Sequence, residues 1–139
     1  MADNKRVKIM IIDDDLNSLH SLNRALSLHG YITDYFDNPF EALKSYQSKS
    51  YDVVLTDYKM PSMDGLSLTK AIRGIDPKAK IIMFSGYIDA ALLDKATALN
   101  IEAIYHKPLP LESFLNKLEN LVSLKQESTD SPYDENLSL

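Results

Sequence analysis

Six side chains of this 139-residue chain have types and spacings that could do chemistry together: Asp13, Asp14 and Asp15 in a row, then Asp57, Ser85 and Lys107. Carboxylates brought close raise one another's pKa values and resist ionisation unless a cation compensates them. A lysine and a metal ion could supply that compensation. Oxygen ligands in a chain without cysteine favour a hard cation, and one or two carboxylates completed by waters and a phosphate is the usual Mg²⁺ arrangement. In that setting the Asp57 carboxylate can attack a phosphoryl group as a nucleophile. Mg²⁺ and Lys107 would neutralise the phosphoryl oxygens, and Ser85 can donate a hydrogen bond to one of them.

Short apolar runs must position these residues. Residues 7–12, 53–56 and 81–84 are nearly continuous stretches of apolar and β-branched side chains, as expected of parallel strands buried on both faces. Residues 31–36, which include Thr33 and Asp34, and the short stretch 103–106 are more polar and belong at the sheet edges. Between the strands the period changes to three and four residues, with Leu19, Leu22 and Leu26, then Leu68, Ala71 and Ile72, then Leu92, Ala96 and Leu99. A last helix follows Pro108 and Pro110, its stripe made of Leu111, Phe114, Leu115, Leu118, Leu121 and Val122, an apolar face able to cover a sheet. Asn38-Pro39-Phe40-Glu41 reads as an N-cap, a proline in first helical position and a glutamate reaching back, and Gly30 follows a helix end.

Strand and helix thus alternate five times over residues 5–124. Right-handed crossovers then predict an α/β doubly wound, five-stranded parallel sheet of the flavodoxin-like (βα)5 kind, in strand order 2-1-3-4-5. Sites in such sheets sit at the carboxyl ends of the strands. Strand one runs into Asp13-Asp14-Asp15, strand three into Asp57, strand four into Ser85-Gly86 and strand five into Lys107-Pro108.

Each residue has a plainer reading. The aspartate triplet could cap a helix, Asp57 could be a turn residue, Ser85 could close a small serine turn and Lys107 could be a solvated charge. For Asp64, before Gly65, the cap reading is kept. Four strand ends carrying acid pair, acid, hydroxyl and lysine in that order outweigh the separate readings. His20, His29 and His106 lack metal-ligand spacing, and Met60 and Met63 read as packing.

Bulk properties narrow the classes further. Fifteen Lys and Arg against twenty Asp and Glu leave a net charge of −5, without the basic footprint that direct nucleic-acid contact needs. The N-terminal residues lead into too short an apolar run for a signal peptide or membrane span, so a cytoplasmic location and no membrane partner are expected. Residues 125–139 are polar and turn-rich and read as a flexible tail or the start of a linker.

These motifs, in this order over residues 5–124, resemble the receiver domain of two-component response regulators. Asp13 and Asp14 match the family's acidic pair, Asp57 its phosphoacceptor, Met60-Pro61-Ser62-Met63-Asp64-Gly65 the turn that follows, Ser85 its hydroxyl position and Lys107-Pro108 its lysine before a proline. The lysine–proline bond is often cis in that family. The resemblance implies Mg²⁺ bound by Asp14, Asp57 and the backbone carbonyl of Lys59, with Asp13 acting mostly through water. It further implies a histidine kinase or histidine phosphotransfer protein as phosphoryl donor, and a downstream protein or output domain as target. The surface of the fourth helix, fifth strand and last helix is where such receivers usually meet partners.

Two positions depart from the family pattern. Ile104 stands where an aromatic switch residue is common, and Tyr105, one residue on, falls on the opposite face of the strand. Tyr87 is a substitute participant, and Lys59 and Tyr87 occupy the two variable positions that influence phosphoryl lifetime in that family. A haloacid-dehalogenase-like phosphatase also uses an aspartate nucleophile and Mg²⁺, but it needs a second aspartate two residues on, where this chain has Lys59. Two further readings stay open: a receiver module within a longer regulator or hybrid kinase, and a pseudo-receiver that binds without being phosphorylated.

Overall fold

The computed structural model describes residues 7–126. Within them the chain alternates β1 (Lys8–Ile12), α1 (Leu16–Leu28), β2 (Ile32–Phe36), α2 (Pro39–Ser48), β3 (Val53–Asp57), α3 (Gly65–Ile75), β4 (Ile81–Ser85), α4 (Ala90–Ala98), β5 (Ala103–His106) and α5 (Leu111–Gln126). The five strands form one parallel sheet in the order β2-β1-β3-β4-β5, as the alternation predicts. The described residues fall into two compact units, one running to Pro108 and one starting at Leu109 that holds α5.

The central strands are buried because both faces of a parallel sheet are covered. Met10, Ile12, Val54 and Ile81 face one way and pack with Ala42 and Tyr46 of α2 and with Leu68 and Ile72 of α3. Ile9, Ile11, Leu55 and Ile82, alternate residues of the same strands, are fully buried on the other face. Burying each large aliphatic side chain stabilises the fold by about 1.5–3 kcal/mol, so this unbroken layer rather than any surface contact holds the strand ends in register. The edge strands β2 and β5 are only partly buried, in line with their mixed composition.

Local signals set the helix boundaries. Asn38 accepts from Phe40 N (2.8 Å) and Glu41 N (3.3 Å) with Pro39 in the first turn, although no bond from Glu41 back to Asn38 appears among the described residues. Gly30, just beyond α1, has φ 91°, a conformation glycine adopts without the strain a Cβ brings. In the second unit α5 buries Phe114, Leu118, Leu121 and Val122, but Leu111 is 44% exposed and Leu115 is half-buried. Its buried stripe is therefore narrower than the sequence pattern implies.

Candidate functional site

Asp57 and Ser85 are the last residues of β3 and β4, not loop residues beyond them, and Asp13 and Lys107 directly follow β1 and β5. Sheet register fixes their neighbourhood: Asp57 pairs with Phe84 and Ser85 with His106, while Lys107 N donates to Ser85 O at 2.8 Å. The Lys107–Pro108 peptide is cis.

The aspartate triplet divides into three environments. Asp13 is 1% exposed, accepts the Asp15 amide on Oδ1 (2.9 Å) and presents Oδ2 to Lys107 Nζ at 3.3 Å. Asp14 is exposed. Asp15 caps α1, accepting from Asn17 N and Ser18 Oγ, and these bonds, the hydroxyl first, hold its carboxyl below the usual range. The cap reading thus belongs to one member only. Asp64 is likewise a cap, accepting Ser67 N at 2.8 Å.

Carboxylate oxygens of Asp13, Asp14 and Asp57 lie within 4.8 Å of one another, and Lys107 Nζ is 3.3 Å from Asp57 Oδ2 as well as from Asp13. Asp57 is only 6% exposed. Burial, reinforced by the charge of Asp13, pushes its carboxyl up to about 6 against the pull of Lys107. Burial also works against the Lys107 charge, but Asp13 and then Asp57 outweigh it and raise the ammonium above its ordinary value. The lysine further lies 5.6 Å from the centroid of the Phe84 ring, a contact that the apolar run of β4 does not reveal. Three carboxylates facing one ammonium leave two negative charges, and an all-oxygen donor set of that charge fits a hard divalent cation.

The remaining candidates are less constrained. Lys59 is exposed two residues past Asp57, and its carbonyl accepts no hydrogen bond among the described residues. Ser85 is buried, and its hydroxyl closes the small serine turn of its plainer reading: it donates to Tyr87 O (2.7 Å) and accepts from Tyr87 N (3.2 Å). The Tyr87 ring is 73% exposed. Ile104 packs against the cluster of Leu66, Met83 and Leu92, filling with aliphatic carbon the position where an aromatic is common. Gly65 opens α3 so close to the strand end that a Cβ there would lie 2.5 Å from Asp57 O, and its amide donates to Tyr58 O at 2.7 Å. Met60 is core and Met63 packs beside it. His20 stacks edge-on to Tyr35, and none of the three histidines joins a metal-ligand cluster among the described residues.

Comparison with known proteins agrees with this geometry. The family model for the response regulator receiver domain matches residues 9–119. The response regulator receiver protein CpdR of Brucella abortus is 31% identical over 115 residues, covering 83% of this chain and 96% of that protein. The DNA-binding transcriptional regulator NtrC of Escherichia coli is 32% identical over 122 residues, but the match spans only 25% of its length. Among solved structures, a CheY-like receiver domain protein from Methanospirillum hungatei superposes with a TM-score of 0.81 at 27% identity, covering 87% of this chain and 98% of that one. No helix among the described residues is long and apolar enough to cross a membrane. With its strand order, its acid, hydroxyl and lysine strand ends and this family match, the chain belongs to the receiver domains of two-component response regulators, a signalling family and not a metabolic enzyme family.

Proposed function

We propose that this chain accepts a phosphoryl group on Asp57 from a histidine kinase or a histidine phosphotransfer protein, in a Mg²⁺-dependent reaction, and thereby switches a protein-interaction surface. The observation that carries the reading is a buried carboxylate, Asp57, 3.3 Å from Lys107 Nζ and gathered with Asp13 and Asp14 at one point. The receiver extends over residues 5–124 in this reading, with 125–139 as tail or linker, and acts in the cytoplasm.

In the transfer an Asp57 carboxylate oxygen attacks the phosphorus of the donor's phosphoimidazole. The P–N bond breaks, its electron pair returns to the imidazole nitrogen, and an acyl phosphate forms. Asp57 is ready to attack only when ionised, and its raised pKa of about 6 leaves it so at neutral pH. Lys107 neutralises charge on the incoming oxygens, and Ser85 donates a hydrogen bond to one of them. Asp14, Asp57 and the Lys59 carbonyl would hold Mg²⁺, with Asp13 acting mainly through water. The ion supplies charge neutralisation of the phosphoryl oxygens.

Incubation with Mg²⁺ and acetyl phosphate, or with a phosphorylated histidine donor, tests this by intact mass. One phosphoryl addition is expected on wild type and none on Asp57→Asn. Equal modification of both proteins, or of neither, rejects the assignment.

A further inference from the structure

The four-residue loop between β4 and α4 and the far end of α4 are held very differently. At the near end Ser85 secures Tyr87 through the two hydrogen bonds of one serine turn, while Gly86, Tyr87 and Asp89 are exposed. Among the described residues α4 itself buries only Leu92 and Ala96. At the far end the last carbonyls of a helix normally lack partners. Here the Leu99, Asn100 and Ile101 amides partner the Lys95, Ala96 and Thr97 carbonyls, and Arg73, from the last turn of α3, partners the carbonyls of the two residues that follow the helix. Its Nε donates to Leu99 O (2.9 Å) and its second terminal nitrogen to Asn100 O (2.9 Å), while the first donates to Pro77 O (3.2 Å) and Ala79 O (2.5 Å). One guanidinium thus ties the end of α4 to the end of α3 and to the chain entering β4. Its rigid fork of donors suits several carbonyls at once in a way a lysine cannot reproduce. Asn100 sits at φ 58°, and the Ile101 amide closes back on Ala96 O at 3.0 Å, completing the fixed end.

We infer that Arg73 makes the C-terminal end of α4 a pivot, so that phosphorylation at Asp57 swings the N-terminal end of the helix while Leu99 and Asn100 stay in place. The inference rests on the proposed phosphorylation. To donate to a phosphoryl oxygen, the Ser85 hydroxyl must give up Tyr87 O, since it has a single proton. The turn that holds the loop leading into α4 then opens, while the Asp89 cap on Leu92 N travels with the helix and the Arg73 bonds at the far end do not change. Ile104 is compatible with this route, because its aliphatic contacts in the Leu66, Met83 and Leu92 cluster involve no rotating ring.

Amide exchange and ¹H–¹⁵N shifts on wild type, Arg73→Gln and Arg73→Lys separate the two claims. In the free protein, exchange at Leu99, Asn100 and Ile101 should quicken about tenfold in Arg73→Gln and less in Arg73→Lys, with Leu92 unchanged. Unchanged rates would overturn the pivot itself, and the lysine variant, which keeps the aliphatic stem, guards against a general loss of packing. After addition of Mg²⁺ and beryllofluoride, ¹⁹F signals present in wild type and absent in Asp57→Asn report the adduct. Without them the proposed function fails, and the swing with it. With the adduct formed, wild-type shifts should concentrate on residues 86–93 and spare 99–101, and in Arg73→Gln they should reach 99–101. Shifts as large at 99–101 as at 87–93 in wild type, or the same pattern in both proteins, would overturn the swing.

Discussion

Two polar clusters in the first unit show what separates a site from a structural network. Around α2, Tyr51 donates to Asp34 (2.6 Å) and shares a hydrogen bond with Ser45 (2.7 Å), Lys49 stands 3.5 Å from the same aspartate, and Tyr46 donates to Asp76 (3.0 Å). The two tyrosine rings stack at 5.7 Å. Burial and the Asp34 bond push the Tyr51 hydroxyl up to about 12, and the same causes raise Tyr46 through Asp76, so both stay protonated donors at any physiological pH. Each acid there has its own donor. At the strand ends two buried carboxylates, Asp13 and Asp57, share one ammonium at 3.3 Å apiece. The first cluster is complete in its hydrogen bonds, each partly buried acid having its own tyrosine, whereas the second, with Asp14 beside it, gathers three carboxylates on one ammonium and still needs positive charge, which is what a cation and a phosphoryl-transfer reaction exploit.

Breaking the incomplete cluster should cost most. Lys107→Met leaves two buried carboxylates without their shared partner and should lower stability by about 3 kcal/mol at neutral pH in urea denaturation. Gly65→Ala drives a methyl group against Asp57 O at the 2.5 Å approach and should cost about 2 kcal/mol, with shifted amides along residues 57–65 in an NMR spectrum.

Asp57→Asn should act in the opposite direction. It removes a carboxylate whose folded-state pKa, about 6, lies above the ordinary value of 3.8, and should stabilise the cation-free protein by about 2 kcal/mol at pH 7. The sign follows from proton binding: between about pH 4 and 6 the folded state holds a proton that the unfolded state has lost. Stability contributed by this group therefore rises as pH falls through 6, and is absent above it. The wild-type minus Asp57→Asn difference in urea midpoints should shrink between pH 7 and pH 4.

Opening the complete cluster should matter least. Tyr51→Phe and Tyr46→Phe each delete one donor to a carboxylate and should cost about 1 kcal/mol, without altering phosphorylation. A larger effect on phosphorylation than on stability would erase the distinction between the clusters.

Much of the fold is legible in the chain because the central strands, buried on both faces, leave unbroken apolar runs, and because each run stops at a polar residue able to do chemistry. The same pattern exposes Asp57, Ser85 and Lys107 as strand-end residues. It cannot divide Asp13, Asp14 and Asp15, since three identical side chains differ only in where the backbone points each one after β1. Nor can it show that the Ser85 hydroxyl is engaged with Tyr87, as both the turn and the site use the same serine. Arg73 leaves no signal at all. Its partners are backbone carbonyls as far as 27 residues away, and any residue type can supply a carbonyl. The Tyr46 and Tyr51 network is equally silent, because pairing across α2, β2 and the end of α3 is a property of packing and not of spacing.

The incomplete charge of the strand-end cluster can be probed by following the Asp57 carboxyl carbon by ¹³C NMR across pH, with and without Mg²⁺. A midpoint near 6 is expected in the free protein, moving down when Mg²⁺ is added, because cation and proton compete for the same oxygens. A midpoint near 3.8 that ignores Mg²⁺ would show that the cluster needs no further positive charge.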